Sequence, residues 1–136
     1  MAFQWLQMRI QEEKDRRERE ARIQARLPGA LEELLGALSP CIDEYNTAFG
    51  QDSASISLLR STIRIAVKEP EAQVQVSIDV ALPGFRVTRD DHPPLAVIVG
   101  ILPGDRLTFL EEDKYITLED LSRRVLDRAL FPKLPE

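Results

Sequence analysis

The residues whose types suit chemistry are few. Asp90, Asp91 and His92 stand together ahead of two prolines, and a histidine flanked by carboxylates can move protons or bind a metal. Consecutive side chains diverge, however, and His92 is the chain's one histidine, so the common zinc and non-haem iron ligand sets cannot be completed. The segment reads as a polar turn. Cys41 is the sole cysteine, which excludes an intrachain disulfide and a thiolate zinc site. Its place in an apolar-periodic stretch predicts a buried small hydrophobe rather than a reactive thiol.

Other catalytic patterns are missing from the sequence. There is no G-x-S-x-G elbow, and Gly84, Gly100 and Gly104 are isolated rather than grouped into a phosphate-cradling loop. Gly100, inside an apolar run, marks a close approach or a bulge. Glu111, Glu112 and Asp113 read as a solvated charge run. The expectation is a non-enzymatic chain with no metal and no cofactor.

Nucleic acid is not an expected partner. Arg64, Lys68, Arg86 and Arg89 would form the cationic outer face of the strands, but Asp79 stands among them and the net charge is −5. Phe85 and Phe109 fall in inward phase, so no aromatic platform for stacking bases is left.

The elements that must position these residues are clearer. From Gln73 to Leu82, Val74, Val76, Ile78, Val80 and Leu82 occupy every second position, which predicts a strand with five apolar groups on one face. Strand character also appears at Ile56 and Leu58 and at Ile63, Ile65 and Val67. The parity change between these groups predicts a bulge or bend near residues 59–62. Phe85 and Val87 continue past Pro83-Gly84. Residues 95–102, LAVIVGIL, are apolar almost throughout and read as a strand buried on both faces. Leu107 and Phe109 mark a further strand.

Helices flank this sheet. Residues 3–26 read as helical, with acid-to-base pairs four apart at Glu12–Arg16, Glu13–Arg17, Asp15–Arg19 and Glu18–Arg22. Leu27-Pro28-Gly29 predicts a kink or an end. A second helical stripe, Leu31, Leu34, Leu35, Leu38, Ile42, Tyr45 and Phe49, runs through Pro40 to about Thr47 and should cover the sheet. The last helix begins at Thr117, whose partner Asp120 forms a short capping box. Leu118, Leu121, Val125, Leu126, Ala129 and Leu130 make its apolar stripe, and Pro132 ends it.

The predicted fold is therefore α+β. It has a bent N-terminal helical arm, an antiparallel sheet of four to six strands and a C-terminal helix packed on the sheet. Residues 1–27 form a charged helical arm with an apolar tip, and residues 28–136 a single α+β domain. The arm carries seven Lys/Arg against five Asp/Glu, and the remainder eleven against eighteen.

The candidate partner-binding residues are Phe3, Trp5, Leu6, Met8 and Ile10, stranded beyond a charged shaft. Glu13, Arg17 and Glu20 break any continuous apolar seam, so an uninterrupted coiled coil is rejected. The tip either packs on its own domain or a second copy, docks another protein, or touches a membrane interface. The last is suggested by Trp5 and opposed by the acidic residues after it. No run approaches the length of a transmembrane helix, and MAFQWLQMRI lacks a cationic secretory n-region, so a cytoplasmic setting is expected. Together these features predict an interaction or scaffold module that self-associates through its first helix. The alternative is a carrier of a small apolar ligand held between sheet and helix.

Overall fold

The computed structural model describes residues 3–68, 71–89, 92–104 and 106–131. One long helix, α1 (Gln4–Phe49), precedes seven strands, β1 (Ala54–Leu59), β2 (Thr62–Lys68), β3 (Glu71–Asp79), β4 (Gly84–Arg89), β5 (His92–Leu102), β6 (Arg106–Glu111) and β7 (Lys114–Ile116). A second helix, α2 (Leu118–Leu130), follows. The strands pair in chain order, every neighbour antiparallel, as an open meander.

The α+β class is as expected, but seven strands exceed the four to six read from the sequence. The parity change near residues 59–62 is a two-residue turn rather than a bulge. Arg60 takes φ 58 there, and Leu58 pairs with Ile63 across it. The extra edge strand β7 is only three residues long and follows a turn in which Glu112 and Asp113 take φ 49 and 64.

Both helices lie on one face of the sheet. α1 meets α2, β1, β3 and β5, while α2 also meets β3. Their stripes close on the inward residues of the strands, including Ile63, Val76, Phe85, Val97 and Phe109. Phe85 and Phe109 stack at 6.2 Å between ring centroids. Burying each large side chain of this layer is worth roughly 1.5–3 kcal/mol.

Two strand readings change. β3 stops at Asp79, so Val80 stands 56% exposed in the following turn instead of extending the buried row. In β5, Val97 and Val99 are buried but Ile98 is 40% exposed, so LAVIVGIL faces the core on one side only. Helices cover a single face, and the alternation of the pleat applies even where both sets of residues are apolar.

α1 is one element where a kink or an end was expected after Leu27. Pro28 and Pro40 both sit inside it, and both are exposed. The backbone carbonyls that lose their partner, those of Gln24 and Gly36 four residues earlier, belong to exposed residues and can bond water instead. Ile23, Leu27, Ala30, Leu31, Leu34, Leu38 and Ile42 keep one phase across both prolines. Their burial outweighs the ~3 kcal/mol that each interior proline costs. From Ile23 to Ile42 the helix covers about 30 Å, matching roughly nine residues of strand.

The lower end of α1 also closes a sheet edge. The Asn46 side-chain amide donates to the Ala54 carbonyl at 2.9 Å, and the Ala54 N–H donates back to Asn46 Oδ1 at 2.8 Å. The side chain thus pairs the start of edge strand β1 as a neighbouring strand would. At the other end of the fold, the Asp120 N–H donates to Thr117 Oγ1 at 3.0 Å, and the Thr117 N–H reaches Asp120 Oδ2 at 3.5 Å, forming the expected capping box.

Candidate docking site

The first five turns of α1 carry no buried residue, the first being Ile23. Gln4 to Arg22 amount to about 28 Å of helix at roughly 1.5 Å per residue. Ion pairs hold this stretch helical in place of a core. Glu13 accepts from Arg16 and, at 3.1 Å, from Arg17; Arg16 also donates to Glu20 at 2.6 Å, and Arg9 to Glu12 at 3.0 Å. Of the four pairs expected, only Glu13–Arg17 is among those formed between described residues; Arg16 turns to Glu13 and Glu20 rather than Glu12, and Asp15 accepts from Gln11 Nε2 at 3.0 Å. Hydrogen bonds from Arg16 and then Arg17 hold the Glu13 carboxyl down to about 2, and the same contact raises Arg16 above its ordinary value.

At the far end of this arm Phe3, Trp5, Leu6, Met8 and Ile10 are 69%, 64%, 39%, 58% and 46% exposed. The five candidate residues therefore share one exposed stretch.

The other end of the arm meets the sheet at a row of turns that also carry exposed apolar residues. The turns after β1, β3 and β5 all lie at this end, since these three strands run in one direction. Gln24 Nε2 donates to the Val80 carbonyl at 3.3 Å, which fixes the turn after β3 against α1. Arg19 and Arg22 line a small cleft with Leu102 and Pro103 of the turn after β5. At these three turns Leu58, Leu59, Val80 and Leu102 are 36%, 60%, 56% and 41% exposed. This foot of the arm was not anticipated, because Val80 read as an inward strand residue and Leu102 as the end of a strand buried on both faces. The available signal was their position just ahead of Pro83-Gly84 and Pro103-Gly104.

The remaining candidates do not converge. Cys41 is exposed rather than buried, with its thiol donating to the Ala37 carbonyl at 3.4 Å, because its position falls one residue off the buried stripe. Asp90 and Asp91 lie outside the described residues, and His92 begins β5. Among the described residues no three metal-ligating side chains gather. Of the four cations expected on the outer face, Arg86 pairs with Asp79 at 2.9 Å and holds its carboxyl below the ordinary value. Arg89 shares the parity of Phe85 and Val87, so it points to the helix side; its Nη2 donates to the Pro93 carbonyl at 3.1 Å.

A cavity of about 630 Å³ between Arg89 and α2 holds arginines, but Asp120 and Asp127 line it too. Arg124 lies 3.3 Å from Glu111, and Arg123 lies 3.8 Å from Asp127. Glu111 is thus drawn under α2 instead of standing in a solvated charge run. The cavity offers no field of a single sign.

Compared with known protein families, curated proteins and solved structures, the chain shows no match. Among the described residues no helix is long and apolar enough to cross a membrane.

Proposed function

We propose that this chain is a non-enzymatic protein-interaction or scaffold module whose docking element is the projecting half of α1, and that it self-associates through that helix. The observation that carries this reading is the cluster Phe3, Trp5, Leu6, Met8 and Ile10 on a helix that buries no residue before Ile23. An ion-paired shaft holds the cluster away from the core, and exposed apolar clusters of this kind mark contact surfaces. A cytoplasmic setting belongs to the same proposal, supported by a lone cysteine that leaves no intrachain disulfide to form. The test replaces Phe3, Trp5 and Leu6 by serine and measures mass in solution by light scattering beside thermal stability. The expected result is a lower mass with an unchanged melting temperature. An unchanged assembly would sink the reading.

One observation favours a second reading, a carrier of a small apolar molecule. A cleft of about 700 Å³ opens between Gly36 and Ala37 of α1 and Leu107, Phe109 and Ile116 of the sheet. A Cβ added at Gly36 would meet nothing within 4 Å, so leucine there should fill the cleft without disturbing the fold. Native mass spectrometry of the purified chain would then show a bound apolar molecule in the parent and none in Gly36→Leu. A bare-chain mass in both removes this reading.

A further inference from the structure

Among the described residues, nine of the thirteen exposed large apolar side chains lie at just two places, the tip of the arm and the turns at its foot. About 20 Å of helix, from Ile10 to Ile23, separates them, so within one chain they cannot meet. A second copy laid antiparallel along the arm brings each tip to the other's foot, twice, by one two-fold axis.

The charges between the patches set the same direction. Leu6, Arg9, Glu13, Arg16, Glu20 and Ile23 follow steps of three and four and continue the stripe that Leu27 and Leu34 bury farther down. Outward from the foot this stripe reads acid, base, acid, base. In an antiparallel pair with its axis between Lys14 and Asp15, Arg9 faces the partner's Glu20, and Glu13 faces the partner's Arg16. Leu6 then comes level with the partner's Ile23, where the sheet begins. A parallel, in-register pair would set each of these charges against its own like. The apolar contacts sit at the two ends and the ionic ones in the middle, which is compatible with the broken apolar seam.

Resting on the reading of the arm as the docking element, we infer that its occupant is the antiparallel arm of a second copy, whose tip seats on Leu59, Val80 and Leu102. The interface is isologous, and both patches are covered by one operation.

Cross-linking tests the register. In a Cys41→Ser background, chains bearing Arg9→Cys are mixed with chains bearing Glu20→Cys under mild oxidation, beside each chain alone. The expected result is a covalent dimer in the mixture and none from either chain alone, because like positions would lie roughly 16 Å apart along the axis, beyond disulfide reach. Val80→Asp, which leaves the Gln24 contact to the backbone carbonyl intact, should weaken the dimer at least tenfold by light scattering while the melting temperature holds. Self-cross-linking of the Arg9→Cys chain alone, or a dimer indifferent to Val80→Asp, would overturn this arrangement and leave the arm as a docking element. A monomeric parent chain would overturn the second copy as occupant. A dimer that survives loss of Phe3, Trp5 and Leu6 would overturn the docking reading itself.

Discussion

The two halves of α1 are one helix held by two different means. From Ile23 to Ile42 the helix is fixed by what it buries; Leu34 and Leu38 are wholly covered. From Gln4 to Arg22 it buries nothing and is held by carboxylates and guanidiniums along its own surface. The buried half tolerates two prolines because tertiary packing supplies the free energy. The projecting half contains neither proline nor glycine, as a helix without a core requires, since local propensity and side-chain pairs are all it has. The same backbone conformation thus covers the sheet in one half and stays exposed in the other.

The largest difference between the halves should appear when one large apolar side chain is truncated in each. Leu34→Ala removes a fully buried side chain from between helix and sheet and should cost about 2–5 kcal/mol in urea unfolding. Phe3→Ala removes a larger side chain that is 69% exposed and should change the stability of the single chain by less than about 0.5 kcal/mol. Equal costs would mean that the tip packs on its own domain after all.

That contrast also explains what could be read from the sequence. Inward alternation at Val74 and Val76 and at Phe85 and Val87 was legible because polar residues fill the opposite face. The Thr117–Asp120 cap was legible because it depends on residues three apart. LAVIVGIL was misread because its outward residues are apolar too, and only the number of covering layers decides which set is buried. The continuity of α1 was hidden for a similar reason: local rules end a helix at Leu27-Pro28-Gly29, and only the sheet beneath overrides them. The tip was plain from five apolar residues in a charged context. The foot was not, because it is assembled from three turns far apart in the chain.

A smaller effect follows from the prolines. Pro28 is exposed and contributes no buried area, so Pro28→Ala restores a backbone donor without loss of packing. An interior proline costs about 3 kcal/mol relative to alanine, and proline's restriction of the unfolded chain returns part of that. The expected gain is roughly 1–2 kcal/mol, read as a higher urea midpoint at unchanged slope. No gain would mean that the stripe from Ile23 to Ile42 needs the local deformation that proline introduces to stay in register with the sheet.

The smallest effect belongs to the arm and should be confined to it. Glu13 has its carboxyl lowered from 4.5 to about 2, first by the hydrogen bond from Arg16 and then by that from Arg17. A carboxylate with a lowered folded-state value supports the helix above the unfolded value and ceases to do so as pH falls through the folded one. The support is therefore intact above about pH 4.5 and is lost between there and about pH 2. These pairs are exposed, so added salt should weaken them as well. Far-UV circular dichroism should show a modest loss of helix across that acidic window, reduced in Glu13→Gln, which has no charge to lose. Hydrogen exchange should place the loss between residues 4 and 22 and leave the amides near Leu34 and Leu38 protected. Fraying that spread below Ile23 in the same window would show that the two halves share one source of stability, contrary to their division between surface pairs and core.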